Sequence, residues 1–83
     1  MRIASSIQLT KMEQTQLQQW ARGRRTPARL VLRAKIVLLA AAQHDNQHIA
    51  FVVGSSRLTV GLWRQRFATD RVAGITQDPP RGG

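Results

Sequence analysis

An all-α fold of about four helices is what this 83-residue chain predicts, and three observations predict it. Apolar residues recur at three- and four-residue spacing in successive segments. Each segment follows a hydroxyl, amide or carboxylate side chain able to cap a helix, and no stretch alternates apolar with polar residues as a strand would. Hydrophobic residues make up 42% of the sequence, enough for one modest core in one small domain. That domain is expected at residues 1–70, with a flexible linker or tail at 71–83.

The first helix is expected at 11–22, in "LTKMEQTQLQQWARGRR". Thr10 and Glu13 have capping-box spacing, so each side chain can accept from the other's backbone N–H. Leu17, Trp20 and Ala21 form one apolar stripe among glutamines, and Gly23 ends the helix. After a basic bend, "TPARLVLRAKIVLLAAA" gives the strongest helical signal, with Thr26 as N-cap and Pro27 at the first helical position. Leu30, Ala34, Val37, Leu38 and Ala41 follow its inner face, Arg29, Arg33 and Lys35 fall mostly on the other side, and it is the central, most buried helix.

"QHDNQ" then reads as a turn in which Asp45 or Asn46 caps a short helix over "QHIAFVV". Gly54 suits a left-handed turn, and Ser56 is the next N-cap. In "RLTVGLWRQRFA", Val60, Trp63 and Phe67 lie at i, i+3 and i+7 and turn one side of a fourth helix inward. "DRVAGITQDPPRGG" loses periodicity and gathers proline and glycine, hence the expected tail.

Thirteen Lys and Arg face four Asp and Glu, a formal charge of +9, and such an excess implies a polyanionic partner. "IVLLAAA" is too short to span a bilayer and "MRIASSIQL" has no apolar core of signal-peptide length, so the expectation is a cytoplasmic, nucleoid-associated protein that makes no membrane contact. Cysteine is absent, which removes disulfides, thiolate metal sites and cysteine nucleophiles. His44 and His48 are the only imidazoles. The helix start between them breaks the shared face that metal ligation needs, so no metal and no cofactor are expected.

Residues 46–67 meet the requirements of a helix-turn-helix: a short helix, a glycine-bearing turn and a second helix with an apolar inner face. With Val60, Trp63 and Phe67 inside, Leu58, Gly61, Leu62 and Gln65 point outward toward base edges in a major groove. Arg57, Thr59, Arg64 and Arg66 lie on the flanks, toward phosphates. Gln65 can pair bidentately with adenine, and Leu58 and Leu62 can meet thymine methyl groups. Gly61 permits close backbone approach. The expected double-stranded DNA contacts are Arg24, Arg25, Ser56, Arg57, Leu58, Thr59, Gly61, Leu62, Gln65 and Arg66. Arg64 is set apart, because its stem is positioned to cover Trp63.

"LTKMEQTQLQQWARGRRTPARLVLRAKIVLLAA", "NQHIA", "VGSSRLTV", "WRQRF" and "GITQDPPRGG" together resemble the N-terminal helix-turn-helix region of mariner-like transposases of bacterial insertion sequences, over nearly the whole chain. The resemblance implies a homeodomain-like fold that binds the terminal inverted repeats of a mobile element. Intact members of that family carry a further catalytic domain in which three carboxylates hold two metal ions. The acidic residues here, Glu13, Asp45, Asp70 and Asp78, are scattered, so no enzyme is expected from this chain alone. Three departures from the family pattern stand out. Gln43 and His44 replace a Gly-Leu pair after the second helix, Ser55 replaces a small apolar residue, and Phe51 and Val52 add apolar groups at polar places. Exposed, these last two offer a contact for a homodimer or an intact transposase, and a regulatory interaction protein is the alternative function.

Overall fold

The computed structural model describes residues 7–77. Five helices occur among them: α1 (Lys11–Ala21), α2 (Ala28–Ala41), α3 (Asn46–Val53), α4 (Arg57–Asp70) and α5 (Val72–Thr76). None is long and apolar enough to cross a membrane. The expected signal-free start of the chain lies largely outside the described residues.

The capping box at the start of α1 is complete. Thr10 N–H donates to Glu13 Oε1 at 3.0 Å, and Glu13 N–H donates to Thr10 Oγ1 at 3.1 Å. Leu17 is fully buried against α2, with Trp20 and Ala21 packed beside it. α2 is the central helix as expected, burying Ala34, Ile36, Val37 and Ala40. Its start differs from the expectation. Pro27 holds the capping position, no side chain caps the helix, and the Thr26 hydroxyl donates instead to the Arg24 carbonyl at 3.0 Å. Thr26 therefore closes the basic bend, and the first turn of α2 begins one residue later than Pro27.

Arg33 corrects the reading of the second face of α2. It is buried, its guanidinium lies 3.8 Å from the ring centroid of Trp63 on α4, and it donates to the Ile75 carbonyl on α5 at 3.2 Å. The planar cation stacks on an aromatic face and donates from its edge, which lets it sit inside the core.

α5 occupies the start of the segment expected to be a tail. Ile75 is fully buried and Val72 packs at the core's edge, so the folded body reaches beyond Asp70. The fit is close enough that a Cβ on Gly74 would run into the Arg66 carbonyl. The rest of the expected tail, residues 78–83, lies outside the described residues. Between α4 and α5, Arg71 has φ 58 and ψ −142, an unfavourable backbone for a non-glycine residue. Its side chain bonds the Gln8 carbonyl and both oxygens of Glu13 at 2.6 and 3.1 Å. This clamp fastens the end of α4 to the start of α1.

Two predictions follow from these end structures. Arg71, then the Thr10 bonds, hold the Glu13 carboxyl below the ordinary glutamate range. The folded chain thus binds that proton less tightly than the unfolded chain. The resulting stability is present above the glutamate range and is lost as pH falls through the folded-state value. Glu13→Gln should cost about 1–2 kcal/mol near neutral pH in urea unfolding, with the gap from the native sequence closing as the solution is acidified. At the end of α2, Gln43 takes φ 71 and His44 N–H donates back to the Leu39 carbonyl at 3.2 Å, a left-handed cap made without glycine. Gln43→Gly should therefore raise stability by about 0.5–1 kcal/mol, read as a later urea midpoint with unchanged slope.

Candidate nucleic-acid interface

α3 and α4 are joined by Gly54, Ser55 and Ser56. Gly54 sits at φ 71, ψ 37, and the N–H groups of Gly54 and Ser55 both donate to the Ala50 carbonyl. A side chain at Gly54 would meet nothing, so backbone conformation alone calls for glycine there. Asp45 caps α3 through the His48 N–H at 2.7 Å, and Ser56 caps α4 through the Thr59 N–H at 3.1 Å. The short helix, left-handed turn and capped second helix form a helix-turn-helix unit.

Val60, Trp63 and Phe67 are buried, as their spacing requires. On the opposite side, Leu58 is 87% exposed, Leu62 is 41% exposed, and Gln65 and Thr69 face solvent. These four follow one another at i, i+4, i+7 and i+11, which makes a single stripe along the helix. The stripe carries methyl groups, one hydroxyl and one amide, and no charge. Arg57 is exposed at the N-terminal end of α4, where the helix dipole and free N–H groups favour an anion.

Several expected contacts lie elsewhere. Gly61 is half-buried, and a Cβ built on it would approach Asn46 Nδ2 at 3.5 Å, so it faces α3 and does not face outward. Arg66 is half-buried, its Nε donates to the Gly74 carbonyl at 2.9 Å, and its guanidinium lies 5.7 Å from the Trp63 ring centroid. It braces α5. Arg64 is buried and donates to the His44 carbonyl at 2.8 Å and Asn46 Oδ1 at 3.0 Å. Burial weakens its hold on its proton, and the nearby Asp45 carboxylate partly offsets this. Ser56 and Thr59 bond each other at 3.0 Å within the cap, which commits both hydroxyls to the start of α4. The buried arc of α4 is thus wider than the apolar residues alone mark, because two arginines extend it.

Among the described residues, the exposed cations are Lys11, Arg22, Arg24, Arg25, Arg29, Lys35 and Arg57. Arg33, Arg64, Arg66 and Arg71 are committed to holding helices together. Arg24 and Arg25 are exposed in the α1–α2 bend, with Arg25 at φ 55. The bend is at the end of the α1–α2 hairpin opposite the Glu13–Arg71 clamp, about 16 Å away along α1 by helix rise.

His44 and His48 do share a face, with rings stacked at 4.5 Å, contrary to the expectation that the helix start separates them. Among the described residues, no group of three or more His, Cys, Asp or Glu side chains converges on a metal position. Sequence reasoning missed Arg33, Arg71 and α5; only the i, i+3 pair Val72 and Ile75 marked the last of these. No family model, curated protein or solved structure matches the chain.

The arginines of α4 should separate by role in urea unfolding. Arg64→Ala should cost about 2–3 kcal/mol, because it removes a charged donor from two acceptors. Arg57→Ala should change stability by less than about 0.5 kcal/mol, as exposed substitutions do.

Proposed function

We propose that this chain binds double-stranded DNA through its helix-turn-helix, with α4 in the major groove. Within that reading, its role is the one the family resemblance implies: seating a transposase on the terminal inverted repeats of its element, without catalysis by this chain. The observation that carries the proposal is the stripe of Leu58, Leu62, Gln65 and Thr69 on a capped helix whose other side is anchored by Trp63 and Phe67. Exposed cations stand at the end of that helix and on α1, α2 and the bend, while the stripe itself is uncharged. This division suits a protein that positions itself on phosphates and reads bases with neutral groups.

The stripe also supports a sequence class. Gln65 can accept and donate in one plane, as adenine N6 and N7 require, and the two leucines present methyl groups toward thymine C5. An A·T-containing core is the site this surface fits. Phosphate contact falls to Arg24, Arg25 and Arg57, with Arg66 and Arg64 withdrawn into the fold.

Selection of bound duplexes from a random pool, followed by anisotropy titration at two salt concentrations, tests the proposal. Gln65→Ala should relax preference at one or two base pairs, with a loss of about 1–3 kcal/mol on the selected site. Changing Arg24 and Arg25 together to Ala should weaken binding to all duplexes and lower the salt slope by about 2. A pool that yields no enriched sequence overturns the base-reading role.

A further inference from the structure

α2 and α3 leave an apolar groove of about 560 Å³ between them, walled chiefly by Val31, Leu32, Leu38, Leu39 and Val52. On α2 the lining residues fall at i, i+3, i+4, i+7, i+10 and i+11 counted from Ala28, one continuous stripe about 16 Å long by helix rise. Val31, Leu32, Leu38 and Leu39 are only half-buried by the fold. Of the two apolar residues singled out on α3, Phe51 is 86% exposed, and Val52 is 53% exposed and lines the groove. Lys35 stands in the middle of the stripe, exposed and without an ionic partner among the described residues. The basic bend meets one end of the groove: a Cβ on Gly23 would lie 3.8 Å from Val31 Cγ2, which sets the exposed Arg22 and Arg24 at that end.

We propose that this groove docks an acidic amphipathic helix of another protein. The sign of the partner follows from charge complementarity. The groove's one charged lining residue is a cation, further cations stand at one end, and the whole chain carries a formal charge of +9. No carboxylate lines the groove, and Glu13 and Asp45 are already engaged at helix starts, so the complementary charge is supplied by the partner. A carboxylate set among apolar residues would meet Lys35 while its neighbours cover the leucines and valines. The helical form follows from the walls. Two helices bond their own backbones and offer no free N–H or C=O to an extended chain, whereas an incoming helix satisfies itself and lays its ridge of side chains into the groove.

The magnitude follows from area. A stripe of this length accepts about three helical turns, and such a contact stays near or below the ~1,200 Å² at which stable interfaces begin. The complex is therefore transient, with a dissociation constant on the order of 10–100 µM. Attraction between opposite charges is screened by salt, so added salt should weaken it.

Selection from a display library of randomised single helices, followed by anisotropy titration of the recovered peptides with the full chain, tests this directly. The peptides are expected to carry apolar residues at i, i+3 or i+4 and i+7, with Asp or Glu among or beside them. Lys35→Glu should weaken a recovered peptide at least about fivefold, and changing its Asp or Glu residues singly to Lys should find one change that restores binding to the variant. Val52→Ser, a change at an exposed site that leaves charge unaltered, should weaken it about as much. NMR of the complex should show the Val31, Leu39 and Val52 methyl signals moving together. A library that yields no binder, binders that are neutral or basic, indifference to Lys35→Glu, or shifts that avoid the groove overturns the inference. No lining residue belongs to α4, so duplex binding by Val52→Ser reports separately on the proposed function.

Discussion

The structure depends on a buried cation. Arg33 lies against the Trp63 ring at 3.8 Å and reaches the Ile75 carbonyl at 3.2 Å, joining α2, α4 and α5 at one point. With Val60 and Phe67 fully buried beside it, Trp63 holds one side of α4 inward, and Leu58, Leu62 and Gln65 face out. Guanidinium suits the position because its flat face stacks while its edge still donates; a lysine ammonium cannot do both. Arg66 also lies near the Trp63 ring, 5.7 Å from its centroid, and braces α5 through the Gly74 carbonyl.

The same chemistry divides the chain's positive charge into two populations. Arg33, Arg64, Arg66 and Arg71 act within the fold, each fixing a helix end or a turn by donating to a backbone carbonyl. The solvent-facing group includes Arg24, Arg25 and Arg57. The count of arginines therefore overstates how many can touch a phosphate near α4, while their charge still adds to the field there. Under the proposed DNA-binding reading, a uniformly basic α4 would bind any duplex by counterion release, whereas its uncharged stripe would leave discrimination to methyl and amide contacts.

Much of the fold was legible in the sequence, for reasons local to each element. Thr10 with Glu13, Asp45 and Ser56 cap helices where their side chains and spacing indicate, and Gly54 supplies the left-handed turn. Val60, Trp63 and Phe67 were readable as the inner face because apolar periodicity survives on α4. That periodicity is blind to arginine: Arg33 and Arg64 sit in the core through partners distant in sequence, which no wheel reveals. α5 escaped notice because five residues are too few for a period, and its stability comes from packing Ile75 and from Gly74 lying against the Arg66 carbonyl. Gln43 takes a glycine's conformation at the end of α2, so the cap is kept there without glycine, at the expense of strain. Of the candidate interface, Leu58, Leu62, Gln65 and Arg57 stand where the sequence put them, while Gly61 and Arg66 are turned toward neighbouring helices.

The most direct measurement is an amide and side-chain NMR titration of the chain with a selected duplex, following the Gln65 side-chain NH₂ and the Leu58 and Leu62 methyl groups. Docking of α4 in the major groove predicts that these signals move together with Arg57, Arg24 and Arg25, while Arg33 and Arg64 guanidinium signals stay fixed. Shifts confined to the bend and the exposed basic side chains, with the α4 stripe unmoved, would contradict it.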